Sequence, residues 1–190
     1  MKKRKIIAIT GNIAGGKSIV VNKIAKKLGM DTYFASQRFR ELARTHNMDI
    51  ATFNAFIEEN PEIDKAIDNA MAEYLKKHDN LVVDSRLAWF FEKDAFKVFI
   101  SVDLETAAKR LAFDSKNRNV EDKYSTIDEA KVAIIKRQNY EKDRYKKEYG
   151  IDVLDYSNYD LVIDSTNLST EEMTKMIIEE YNEWLSKDRD

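Results

Sequence analysis

Residues 11–18 read Gly-Asn-Ile-Ala-Gly-Gly-Lys-Ser and fit the spacing G-x-x-x-x-G-K-S. That pattern suits one task, holding phosphate. Gly11, Gly15 and Gly16 lack a Cβ, so the backbone can curl and turn successive N–H groups toward one anion. The candidate cradle is Gly11, Asn12, Ile13, Ala14, Gly15, Gly16, Lys17, Ser18 and Ile19, the last of these opening a helical pattern. The positive end of that helix adds to the field on bound phosphate. Lys17 is a mobile cation able to reach β- and γ-phosphates, and the Ser18 hydroxyl can join the oxygen shell of Mg²⁺.

A second set of polar residues lies downstream. Asp84 ends a short apolar run; it either takes part in holding Mg²⁺, directly or through water, or simply closes a turn. Arg86 either forks onto a second phosphate group or makes a surface ion pair. Arg137, Glu141 and Arg144 stand at i, i+4 and i+7, which lines two guanidinium groups and a carboxylate along one helix face. Such a stripe is commonly solvated, but Ala130 and Ile134 continue this face inward, so it can equally lead from a buried seam into a cleft. Arg118, in the polar stretch 114–125, and Arg110, near its root, are candidates to close over transferred phosphate. His46 and His78 have no metal-ligand spacing and read as surface residues.

The elements that must position these groups follow from periodicity. Residues 6–9, 32–35, 81–83, 98–100 and 161–163 are short apolar runs, the pattern of strands covered on both faces. Between them lie amphipathic stretches over residues 37–45, 50–58, 61–77, 87–92, 104–113 and 127–149, with a last helix after Ser169. Asp49 is placed to cap a helix, Pro61 suits a first helical turn, Gly150 a C-terminal stop, and Ser169 with Glu172 a capping box. Strands alternating with helices imply an α/β fold with a parallel sheet between helical layers. Ligands in such folds sit at the carboxyl ends of the strands, where Gly11 and Asp84 both fall.

With 190 residues, one proline and no cysteine, the chain reads as a single domain, residues 1–190, without disulfide, thiolate or cysteine–metal chemistry. A formal charge of −2 argues against general nucleic-acid binding. No apolar run approaches a membrane span, and MKKRK leads into a strand-length run without a cleavable signal pattern. The expectation is a cytoplasmic protein, a monomer or homodimer, acting on small molecules.

Taken together, the motifs resemble the cytidylate kinase family, in its compact branch. The resemblance rests on residues 11–18, Phe39-Arg40-Glu41, Asn60-Pro61-Glu62-Ile63-Asp64, Asp84-Ser85-Arg86-Leu87-Ala88, the 137–144 stripe with the Tyr145–Asp152 segment after it, and YDLVIDST at 159–166. It implies a three-layer P-loop NTPase fold with a five-stranded parallel sheet, a helical acceptor-binding insert at about 37–77 and a lid at about 114–125. It further implies ATP phosphates on the glycine loop, Gly11 to Ser18, and an acceptor monophosphate on Arg40 and Arg86. Arg137, Glu141 and Arg144 would lie near the acceptor and the transferred group, with Arg110 and Arg118 in or beside the lid. The activity implied is transfer of phosphate from ATP to a nucleoside monophosphate, CMP or dCMP first. Two alternatives stay open, another small-molecule kinase on this scaffold, such as a deoxynucleoside kinase, and a regulatory module that holds ATP without transferring phosphate.

Overall fold

In the computed structural model, which describes residues 4–117 and 124–187, five parallel strands form one sheet in the order β2-β3-β1-β4-β5. The strands are β1 (Ile6–Gly11), β2 (Asp31–Phe34), β3 (Leu81–Asp84), β4 (Phe96–Ser101) and β5 (Leu161–Asp164). The helices are α1 (Lys17–Leu28), α2 (Ala35–Thr45), α3 (Ile50–Glu59), α4 (Pro61–Lys77), α5 (Ala88–Phe91), α6 (Leu104–Asn117), α7 (Ile127–Tyr149) and α8 (Thr170–Ser186). A 3₁₀ turn, Tyr156–Asn158, precedes β5.

Strand alternation sorts the apolar residues onto two faces. Ile7 and Ile9 join Val82, Val98 and Ile100 under α1 and α8, where Val20, Ile24, Met173 and Ile177 fill the layer. Ile6 and Ala8 point the other way, toward Val83, Trp89, Met71, Leu75 and Tyr145. Burying β1 on both faces explains its unbroken apolar run. Ala107, Ala108, Ala112, Ala130 and Ile134 seal α6 against α7. The insert α2–α4 has its own cluster around Ala43, Phe53 and Ile57.

The capping signals act where the sequence places them. Asp49 Oδ1 accepts from Thr52 N at 2.7 Å, and Pro61 opens α4. Gly150 ends α7 in the left-handed region, and Ser169 with Glu172 forms a reciprocal box at α8. Three boundaries differ from expectation. α2 begins at Ala35, directly after β2, so no separate turn precedes the helix bearing Arg40. The helix expected over 87–92 is a single turn, Ala88–Phe91, and α6 runs on to Asn117, which puts Arg110 in its middle. Half of the expected lid, residues 118–123 with Arg118, lies outside the described residues.

Candidate active site

Register explains why the candidate residues converge. Ile9 pairs with Asp84 across β1 and β3, and Gly11 pairs with Ile100 across β1 and β4. The chain leaves β1 between two central neighbours. At Gly11, φ is +143° and a Cβ would lie 2.0 Å from the Ile100 carbonyl oxygen, so glycine alone fits. Asn12 fixes the loop's far side: its N–H donates to Ile100 O at 2.9 Å and its side-chain oxygen accepts from Val102 N at 3.2 Å. Ile13 and Ala14 pack on the α6–α7 cluster. Ala14 takes a left-handed φ of 59°, and Gly15 N donates to Asn12 O at 3.4 Å.

α1 starts from Gly16, itself left-handed at φ 83°, with no side-chain cap and no acid in the first turn. Among the described residues no side chain caps its leading N–H groups, which present positive charge to an anion. Ile19, 43 % exposed, offers its backbone there, while its side chain faces outward. Lys17 is half-buried and its ammonium donates to Asn12 O at 2.6 Å. Burial foremost, and then the charge of Arg86, lowers its pKa to about 7 against the opposing pull of Asp84 and Glu141.

Ser18 Oγ donates to Asp84 Oδ2 at 2.8 Å. A hydroxyl and a carboxylate meeting beside a phosphate cradle are hard oxygen donors of the kind Mg²⁺ takes, with phosphate and water oxygens completing its shell. Among the described residues no group of three or more His, Cys, Asp or Glu forms a protein-only metal cage. Ser18 and Asp84 are the residues that would hold such an ion.

Arg86 turns into the site. Its Nε donates to Glu141 Oε2 at 2.8 Å, and its NH1 donates to the carbonyl of Gly11. Arg137 Nε donates to the other oxygen, Glu141 Oε1, at 3.0 Å. Burial opposes ionisation of Glu141, but the charges and hydrogen bonds of Arg86 and Arg137 outweigh it and bring the carboxyl down to about 2. Glu141 is thus a buried anion splinting two guanidinium groups next to Lys17. The side chains of Arg86 and Glu141 are 18 % and 15 % exposed, that of Arg137 59 %, so the arrangement opens toward solvent at Arg137.

The remaining arginines have distinct positions. Arg144 faces α4, where it binds Asp64 and Asp68. Arg110 reaches back across the glycine loop, donating to Ala14 O at 3.2 Å and to Ser165 O at 2.8 Å, so it joins the loop to the segment after β5. Arg40 is half-buried on α2 in the insert, without a hydrogen bond or ion pair to another described residue. The structure thus brings together the glycine loop, Lys17, Ser18, Asp84, Arg86, Arg137 and Glu141; it does not bring Arg144, which the sequence reading grouped with Arg137 and Glu141, into that set.

Sequence reasoning gave no role to Asp64 or Tyr149, though both lie in the motifs it singled out, and passed over Asp68, whose Oδ2 accepts from the Tyr149 hydroxyl at 2.9 Å. A signal was present. Asp64 and Asp68 continue the helical stripe of Met71 and Leu75, the buried residues of α4, and carboxylates on a buried stripe call for a cation. It also passed over Ser165 and Thr166 as partners of Arg110.

Comparison with known proteins agrees with this geometry. Residues 6–167 match the model of the cytidylate kinase-like family. A cytidylate kinase of Thermoplasma volcanium is 36 % identical over 186 residues, covering 96 % of this chain and 94 % of its own. One from Archaeoglobus fulgidus is 35 % identical over 173 residues, covering 90 % and 92 %. Among solved structures, shikimate kinase from Acinetobacter baumannii in complex with shikimate superposes with a TM-score of 0.60 at 14 % identity, covering 98 % of this chain and 96 % of that one. Shikimate kinase from Aquifex aeolicus gives 0.59 at 16 % identity, with 93 % and 96 % covered. At such identity the likeness to solved structures is one of fold. With its family model spanning most of the sequence, the chain belongs to the cytidylate kinase-like family.

Proposed function

We propose that this protein transfers the γ-phosphoryl group of ATP to a nucleoside monophosphate, CMP or dCMP. Beyond family membership, one observation carries the reading. Arg86 and Arg137 share Glu141 immediately beside the Lys17 loop. A protein that only held ATP would need the glycine cradle alone; a second cationic group at its rim suits a second phosphate.

The acceptor phosphate is largely a dianion near neutral pH and is already a nucleophile, so the site needs no general base. One of its oxygens forms a bond to the γ-phosphorus as the bond to the β–γ bridging oxygen breaks, which yields ADP and a nucleoside diphosphate. Catalysis on this reading is alignment plus neutralisation of charge spread over the equatorial oxygens. The loop amides and Lys17 hold the donor. Arg86 and Arg137 draw the acceptor phosphate toward it, Glu141 keeps their forks in place, and Arg40 approaches from the insert. Mg²⁺, held through Ser18 and Asp84, would supply further neutralisation of the donor phosphates. Arg110 braces the loop from the side of β5.

An ADP-release assay across CMP, dCMP, UMP, AMP, free nucleosides and shikimate tests the assignment. CMP or dCMP giving the highest kcat/KM supports it. Turnover confined to nucleosides or shikimate would replace the acceptor, and ATP binding without any turnover would leave only a nucleotide-binding module.

A further inference from the structure

α4 is fastened at two places of different character. Its C-terminal half buries Met71 and Leu75 against the sheet. Its N-terminal half presents Asp64 and Asp68, one turn apart, to Arg144 of α7. The guanidinium Nε binds Asp64 and NH2 binds Asp68, which also accepts from Tyr149. All three charged side chains are 13–14 % exposed. The guanidinium carbon lies 4.9 Å from the centroid of the Tyr145 ring, and Tyr145 belongs to the core beneath the sheet. A planar cation forked onto two carboxylates and backed by a core aromatic is a stiff fixture, unlike an exposed pair.

The insert has its own apolar cluster, separate from both sheet cores, and it bears Arg40. We infer that Asp64 and Asp68 are positioning residues that, through Arg144, lock the front of the insert to α7 and so set the span between Arg40 and the Arg86–Glu141–Arg137 group. The inference rests on the kinase reading for its catalytic consequence but not for the joint itself. Arg144 then acts on the acceptor side through geometry, because its Nε and one terminal nitrogen are occupied by α4. Without the fork, the N-terminal half of α4 and α3 can swing about the apolar anchor at Met71 and Leu75, and the acceptor pocket loosens while the ATP loop stays as it is.

The test uses the full chain with Asp68→Asn, Asp64→Asn and Arg144→Lys, the last keeping the charge but losing the fork. Hydrogen–deuterium exchange should accelerate about tenfold in α3 and the first half of α4, with β1 and α1 unchanged. In the same variants the acceptor KM should rise about tenfold, with kcat and the ATP KM within about threefold of wild type. Unchanged exchange in α3 and α4 overturns the joint. A drop in kcat of about a hundredfold at constant acceptor KM overturns the positioning role and returns Arg144 to the transferred group. The exchange readout does not depend on which acceptor is used, so faster exchange in a protein inactive on CMP would retain the joint and reject the acceptor. Should Asp68→Asn not fold, Asp64→Asn removes the other arm of the fork and carries both measurements.

Discussion

Glu141 Oε2 lies 2.8 Å from Arg86 Nε, a contact that ties the middle of α7 to the chain just beyond β3. Since the opposite carboxylate oxygen takes Arg137, a single buried anion decides where two cations point. Glu141→Gln keeps the shape but supplies one acceptor oxygen instead of two, and removes the compensating charge. One guanidinium must then let go, and Arg86 is left in a buried site beside Lys17 with less negative charge. The expected result is a fall in kcat/KM of about 10²-fold or more, with ATP binding weakened far less. Steady-state kinetics with separate variation of ATP and acceptor measures this; a variant within a few-fold of wild type would remove Glu141 from the organising role.

Lys17→Ala removes the one lysine that sits inside the loop, bonded to Asn12 O. Because that ammonium is buried and its pKa is pushed down to about 7, deleting it relieves a desolvated charge and should leave the folded protein intact. Turnover should drop by about 10²–10³-fold, the scale for removing one preorganised charge donor. Circular dichroism and thermal unfolding check the fold, and a single-turnover assay checks the chemistry; near-normal turnover would reject the role given to Lys17.

Asp84→Asn tests the metal side. The Ser18 hydroxyl has Asp84 as its hydrogen-bond partner at 2.8 Å, and the amide in the variant offers a weaker acceptor with no charge. The Mg²⁺ concentration for half-maximal rate should rise about 10–100-fold, while rates at saturating Mg²⁺ recover in large part. An unchanged Mg²⁺ dependence would confine Asp84 to ending β3.

The Arg144 joint should also be visible in stability against pH. Burial raises the Asp64 carboxyl to about 6 even though Arg144 pulls it down, and Asp68 and Glu148 add to the rise. Its ordinary value is 3.8, so between those values the folded chain keeps a proton that the unfolded chain has released. Stability from this site is therefore fully present below the lower value and is lost as pH rises through the higher one. Asp64→Asn has no such proton. Urea midpoints measured from pH 5 to 7.5 should decline less in Asp64→Asn than in wild type, and parallel curves would show that Asp64 ionises normally.

How much of this was legible without coordinates depended on how local each feature is. The glycine loop, the apolar strands and the caps at Asp49, Pro61, Gly150 and Ser169 are written in neighbouring residues, and the fold places them accordingly. The stripe Arg137, Glu141, Arg144 was legible as a face, but a helical face does not state what lies opposite each residue. Glu141 meets Arg86, 55 positions earlier, whereas Arg144 meets Asp68, 76 positions earlier. One stripe thus serves two partners, because α7 passes first the phosphate loop and then the insert. The resemblance treated its three residues alike, and only the packing of α4 separates them. The start of α2 at Ala35 was missed for a related reason. Thr32 to Ala35 reads as a strand by composition, yet β2 is paired only as far as Phe34, opposite Asp84, and the helix takes the next residue.

The glycine loop makes its own prediction, with an internal control. Gly11 and Gly29 both have positive φ, +143° and +64°, but a Cβ on Gly11 would meet backbone atoms of Ile100 at 2.0–2.7 Å while one on Gly29 meets nothing within 4 Å. Gly29→Ala pays only the left-handed penalty, about 1 kcal/mol, equal to a fall in Tm of about 2–4 °C for a chain of this size. Gly11→Ala must in addition push β4 away from β1 at the register pair Gly11–Ile100, through the centre of the sheet and at the root of the phosphate loop. Its cost should exceed about 4 kcal/mol, the range reached only when packing or backbone geometry is broken outright. Thermal unfolding of the two variants side by side decides it. Equal losses would mean that conformation alone, and not the approach of the Ile100 carbonyl, demands glycine at position 11.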